Sequence, residues 1–156
     1  MEFPGTINGW TLYAHPCFLD TYNALVNDVE ALKRKDPEGY QKKALTKLLA
    51  VVHKVIDSYI AVDPASPSFR HGTTLGRGKK KDWSRAKFGA GRYRLFFRYS
   101  EKEKVIVLGW MNDANTLRTY NSKTDAYAVF GKMLDKGHPP ADWLTLLDEA
   151  KAASRR

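Results

Sequence analysis

Apolar residues recur at helical spacing along the first part of the chain. Phe18, Tyr22, Leu25, Val29 and Leu32 succeed one another three or four positions apart, which predicts an amphipathic helix. Pro16 suits its first turn, and Lys33-Arg34-Lys35 suit the negative end of its dipole. Just ahead of it, Trp10–Ala14 alternates as a short strand does. Asp36-Pro37, a capping residue followed by proline, predicts the start of a second helix. Its stripe is Leu45, Leu48, Val52, Val55 and Tyr59, widened by Leu49 and Ile56. Two such helices joined by a tight turn form a hairpin whose apolar side needs a sheet to cover.

The stretch from Val62 to Asp82, rich in Pro, Ser, Gly and Lys, reads as a mobile loop. Trp83–Phe88 and Arg92–Tyr99 then read as strands around a Gly89-Ala90-Gly91 turn, and Val105–Trp110 as a central strand, apolar on both faces. Asp125–Asp135 reads as a helix with Tyr127, Phe130 and Leu134 inward, stopped by Gly137 and Pro139-Pro140. Residues 141–152 make a last short helix with Trp143, Leu146, Leu147 and Ala150. This order predicts an α+β fold: one domain over residues 1–156, with the helical hairpin on one face of an antiparallel sheet and an additional C-terminal helix. At 156 residues and 43% hydrophobic, the chain is large and apolar enough to bury a real core.

Charge changes the picture. The net charge is +9, and residues 61–100 alone hold ten Lys/Arg against Asp63 and Asp82. Solvated faces normally mix signs, so this segregation points to a polyanionic partner. The single cysteine, Cys17, leaves no intramolecular disulfide and no multi-cysteine metal site. The N-terminal MEFPGTINGW lacks the basic and apolar regions of a secretory signal, and no apolar run approaches the length of a membrane span. A cytoplasmic protein is expected.

Parity along the strands sorts the cations. Trp83, Arg85 and Lys87 share one face of the first hairpin strand, and Arg92, Arg94, Phe96 and Arg98 share one face of the second. The apolar-rich faces belong on the helices, so the opposite face is expected to display the cations with Trp83 and Phe96 among them. Like charges side by side destabilise a sheet, and a bound polyanion would relieve them. Rings interleaved with arginines suit single-stranded RNA, whose bases stack and whose phosphates pair. His71 and Lys79-Lys80-Lys81 in the preceding loop join this expected RNA-binding set. Gly76-Arg77-Gly78 lacks the spacing of a nucleotide phosphate loop, His15 and Cys17 flank a helix entry, and His53 and His138 read as packing or turn residues. No closely spaced carboxylate pair lies in the basic segment to hold two metal ions, and no cofactor is expected.

The run Trp83–Leu95, with Arg85 and Lys87 spaced by one residue ahead of a glycine turn and a Tyr93-Arg94-Leu95 strand, resembles the core of the RelE superfamily of bacterial toxins. Nearly the full chain resembles a narrower toxin family within it, on Asn8-Gly9-Trp10, Tyr13 to Cys17, Lys47 to Lys54, Asp82 to Arg98 and Gly109 to Asp113. The resemblance implies a RelE-like fold and an endoribonuclease that cleaves mRNA on the ribosome. It also implies silencing by a PrlF-type protein antitoxin and binding of operator DNA through the antitoxin complex. Carried over residue by residue, the site falls on Arg85, Lys87 and Arg94, with Arg118 and Tyr120 as the later basic residue and aromatic hydroxyl at a spacing that differs from the RelE pattern. The substrate's own 2′-hydroxyl is then the nucleophile. Arg85 and Arg94 are expected to stabilise the phosphate, and Lys87 or Tyr120 to move protons. A non-catalytic nucleic-acid module such as a transcriptional regulator is the alternative, opposed by the lack of a helix-turn-helix signature. A third class, an interaction protein with an acidic partner, is compatible with charge alone.

Overall fold

The computed structural model describes residues 1–71, 74–76 and 78–154. Arg77 of the basic loop lies outside the described residues, as does the side chain of Lys79. Among them, five strands form one sheet in the order β1-β2-β5-β4-β3: β1 Gly5–Ile7, β2 Trp10–Ala14, β3 Ser84–Phe88, β4 Tyr93–Ser100 and β5 Val105–Met111. The expected antiparallel sheet is corrected to a mixed one, because Thr11–Ala14 of β2 runs parallel to Val105–Leu108 of β5. A parallel neighbour needs a long crossover, and the helical hairpin together with β3 and β4 supplies it.

Helix α1 (Pro16–Lys35) begins where the proline predicts, with His15 as its cap: the His15 Nδ1 accepts the Cys17 N–H at 3.1 Å. The second helix starts later than Asp36-Pro37 predicts. The Asp36 carboxylate accepts the Gly39 N–H at 3.0 Å and closes a separate turn, and Lys43 is extended, so α2 spans Ala44–Lys54. A π-helical turn, Val55–Ile60, continues it. Its wider winding rotates the stripe from there on, so that Val55, Ile56 and Ile60 join Val52 in the core while Tyr59 is exposed; Leu45, in the first turn of α2, is exposed as well. These buried residues pack with Phe18, Tyr22, Leu25 and Val29 of α1 against Ala86, Phe88, Leu95, Phe97, Ile106 and Leu108.

Strand parity holds, but the second face is not open. Helices α3 (Ala126–Asp135) and α4 (Trp143–Ser154) cover it and build a second core from Trp83, Phe96, Val107, Trp110, Phe130 and Leu146. Phe130 stacks on Phe96 at 4.3 Å and meets Trp83 edge-on at 5.2 Å. Trp83 and Phe96, expected as exposed stacking platforms for RNA, are therefore core residues, 2% and 0% exposed. A bulge between Phe96 and Phe97 takes up Gly109, which lets Leu108 face the hairpin and Trp110 face α3. Among the described residues no helix is long and apolar enough to cross a membrane.

Candidate active site

The strands place Arg85 and Arg94 on the face that α3 covers, at the end of the sheet that α3 enters. Both point at one side chain that periodicity assigns only to packing, Tyr127. The Arg85 Nε and the Arg94 Nε each donate to the Tyr127 hydroxyl oxygen at 3.1 Å. The Arg85 Nη1 donates to the Ser68 carbonyl at 2.6 Å, and the Arg94 Nη1 donates to the carbonyls of Gly91 and Tyr93 at 2.8 and 3.0 Å. These bonds fix the planes of both guanidiniums, and they leave each Nη2 without a protein partner among the described residues. Arg85 is 9% exposed and Arg94 5%. The expectation that Arg85 stands clear of the core is thus overturned.

Arg118 approaches from the segment after β5. Its backbone N–H donates to the Arg92 carbonyl at 2.9 Å, and Asn112 ties the same segment to β4: its Oδ1 accepts the Arg94 N–H at 2.7 Å while its Nδ2 donates to the carbonyls of Arg92 and Thr116. The Arg118 guanidinium lies between two rings, 3.9 Å from the Tyr120 centroid and 4.7 Å from that of Tyr127. Its Nη1 pairs with Asp125 at 2.7 Å. Asp125 caps α3 by accepting the Tyr127 N–H at 3.0 Å, and it also accepts the Thr119 N–H at 2.6 Å. Burial alone would push the Asp125 carboxyl up; the Arg118 guanidinium and the two N–H groups outweigh it and hold the carboxyl below its ordinary value.

The two remaining members of the expected catalytic set are exposed. Lys87 stands directly across the strand pair from Arg94, and Tyr120 is 76% exposed beside Arg118. The structure thus brings Arg85, Arg94 and Arg118 onto Tyr127, with Lys87 beside Arg94 and Tyr120 against Arg118. Four cations share this cluster with one carboxylate, Asp125. A dianionic or developing negative charge on a phosphate is what such an arrangement accommodates, and guanidinium forks match phosphate oxygens.

The outer RNA-binding set divides. Arg92 and Lys81 are exposed. Lys80, expected to be a free loop charge, pairs with Asp135 of α3 at 2.8 Å. His71, expected to contact RNA, is buried, with its Nε2 within 3.2 Å of the Lys80 carbonyl. Burial is the main cause holding its pKa below the ordinary value. Arg98, expected on an open face, donates to the Ala141 carbonyl at 2.7 Å, lies 3.9 Å from Asp82 and packs over the rings of Trp83 and Trp143. It ties the sheet to the start of α4. Cys17 is half-buried, and burial together with Asp20 and Glu149 pushes its thiol up to about 11, which removes it as a nucleophile.

The sequence does hold a signal for Tyr127. It falls two residues after a helix-capping aspartate on an otherwise apolar helix face, and a buried phenol needs a hydrogen-bond partner. In the structure the strand arginines opposite supply it.

The comparisons agree on one family. A family model described as a toxin with endonuclease activity, of a toxin–antitoxin system, matches residues 12–151. Over 151 residues the chain is 74% identical to Toxin YhaV of Escherichia coli O6:H1, spanning 97% of this chain and 98% of that protein. It has the same identity and coverage against Ribonuclease toxin YhaV of Escherichia coli strain K12. No solved structure matches the chain.

Proposed function

The chain belongs to the YhaV family of toxins with endonuclease activity, components of toxin–antitoxin systems, and from that premise we propose that it cleaves RNA through attack of the substrate's 2′-hydroxyl on the adjacent phosphorus. The observation that carries this reading is the convergence of three guanidiniums on Tyr127. Arg85 and Arg94 present Nη2 groups to the scissile phosphate, and Arg118 adds positive charge beside them. As the 2′-oxygen bonds to phosphorus, the bond to the 5′-oxygen breaks. The 2′-hydroxyl proton passes to a base and the leaving oxygen takes a proton from an acid, for which the exposed Lys87 and Tyr120 are the candidates. The products are a 2′,3′-cyclic phosphate and a 5′-hydroxyl. RNA brings its own nucleophile, so the residues at hand need only stabilise charge and move protons.

The same reading extends outward. The substrate is mRNA on the ribosome in the cytoplasm, and a PrlF-type antitoxin silences the toxin and carries it to operator DNA. The sequence resemblance to RelE-type toxins supports these finer assignments, and the exposed Arg92 and Lys81 suit contacts to flanking phosphates.

The test incubates end-labelled RNA with the purified protein in EDTA, alone and with ribosomes kept intact by polyamines. Fragments ending in cyclic phosphate or 3′-phosphate, with 5′-hydroxyl partners, are expected. Arg94→Ala should lower the cleavage rate by about 10²–10³. Fragments with 5′-phosphate ends, or no cleavage without added metal, would overturn the mechanism.

A further inference from the structure

A groove runs along the outer side of β3, between that edge strand and the α2 helix with its π-helical turn. It encloses about 680 Å³. Val51, Val55, Val62, Phe69 and Phe88 line it, and Lys54 and Lys87 stand at its rim. Three residues of this wall are large and exposed: Val51 at 37%, Tyr59 at 52% and Val62 at 57%. Exposed apolar residues scattered singly need no explanation, but a cluster lining one concave surface marks a place where another chain docks.

The groove's chemistry chooses the occupant. An apolar floor offers almost nothing to a nucleic-acid strand, which carries a phosphate at every nucleotide. Apolar side chains followed by carboxylates fit both the floor and the two lysines. One of those lysines, Lys87, also stands across from Arg94, so the groove is continuous with the candidate active site. The toxin belongs to a system that contains an antitoxin. We infer that this groove takes an acidic, apolar-rich segment of the antitoxin, whose carboxylates engage Lys54 and Lys87 and thereby keep RNA phosphate from the site. Occupancy of Lys87 is then enough to inhibit, with no change needed in the buried arginines. The inference rests on the proposed partnership with a PrlF-type antitoxin.

The experiment measures inhibition of RNA cleavage by a purified PrlF-type antitoxin. The variants are Val51→Glu combined with Val62→Glu, and separately Lys54→Glu and Lys54→Arg. None of these residues is in the catalytic set, and the exposed positions leave both cores intact, which melting temperatures check. The valine pair should raise the inhibition constant at least about thirtyfold, the scale of a docking hot spot, while cleavage without antitoxin is unchanged. Lys54→Glu should weaken inhibition and Lys54→Arg should restore it. Inhibition of the valine pair equal to wild type overturns the groove assignment. So does a loss of RNA binding with inhibition unchanged, which would make the groove a nucleic-acid surface. A change of oligomeric state with inhibition unchanged would assign it to a second copy of the chain. A wild-type toxin that the antitoxin leaves fully active overturns the partner reading itself, and the groove assignment with it.

Discussion

Tyr127→Phe removes a single oxygen and keeps the ring, so it isolates the contact on which the site is built. That oxygen accepts from two guanidiniums at 3.1 Å each. Hydrogen bonds to charged groups contribute about 1.5–3 kcal/mol each. The distances are at the long end, so we expect the pair to contribute about 3 kcal/mol. For a chain of this length each kcal/mol corresponds to roughly 2–4 °C, giving a fall in Tm of about 6–12 °C. Arg118 still has Tyr120 and Asp125, whereas Arg85 and Arg94 lose the group that sets their Nε atoms. Cleavage should therefore fall by about tenfold or more even where the variant is fully folded, since roughly 1.4 kcal/mol of lost positioning is a decade in rate. A double-mutant cycle with Arg94→Ala sharpens the test: in that background one of the two bonds is already gone, and the coupling should reach about 1 kcal/mol. The assays are thermal melting, cleavage of a fixed RNA below the Tm, and the cycle. A Tm within about 2 °C of wild type together with a wild-type rate would show that Tyr127 is packing alone.

Asp125→Ala should cost about 3–5 kcal/mol at neutral pH, because it strands the mostly buried Arg118 and uncaps α3. The folded Asp125 pKa is depressed below 3.8, so its contribution is present above that value and lost as pH falls through the folded pKa; urea unfolding should show the gap to wild type closing in acid, and a gap independent of pH would refute the pairing. His15, His53 and His71 are all held below 6.5, burial being the main cause in each. Stability is thus complete above 6.5 and should decline as pH drops from there through their folded values, and equal urea midpoints at pH 7.5 and 5 would contradict this. Gly109→Ala would drive a Cβ into the Trp83 indole and should destabilise by about 1–3 kcal/mol; an unchanged Tm would mean that the bulge shifts to make room.

The elements legible in the sequence are those with strong periodicity or unmistakable punctuation: the start of α1 at Pro16, the β3–β4 hairpin around three small residues, and α3 behind Asp125. Asp36-Pro37 misplaces the second helix because it is a good cap in isolation. Whether such a cap begins a helix or a lone turn depends on the next few residues, and here Gly39 and the extended Lys43 end the turn. The π-helical turn has no period of its own in the sequence, so helical spacing alone puts Tyr59 inward. Strand parity correctly sets Arg85, Arg94, Trp83 and Phe96 on one face. What parity does not tell is what lies over that face. The C-terminal helices are recognisable as helices, yet no local pattern says which side of the sheet they cover, and that side turns the expected stacking platforms into core.

The cations that parity groups together differ in what they lean on. Arg98 is satisfied by the Ala141 carbonyl, Asp82 and two indoles, and Lys80 by Asp135. Their charge is largely spent on holding the loop and α4 in place. Arg85 and Arg94 lean instead on a neutral phenol and on backbone carbonyls. A carboxylate at position 127 would hold the same two guanidiniums more tightly and would cancel the charge that a phosphate needs to meet. A neutral acceptor fixes their geometry and leaves the charge uncompensated, and the cost falls on folding through buried, like-charged neighbours. Asp125 does not undo this, because its oxygens are divided among Arg118 and the N–H groups of Thr119 and Tyr127. The site is thus electrostatically unfinished in the free chain, and an anion completes it. In the proposed mechanism an RNA phosphate completes it during cleavage, and the proposed antitoxin segment, reaching Lys87 from the groove, opposes that step by adding its carboxylates at the rim. Binding of either anion should therefore raise the Tm of the toxin, and by less in Arg94→Ala than in wild type for RNA alone.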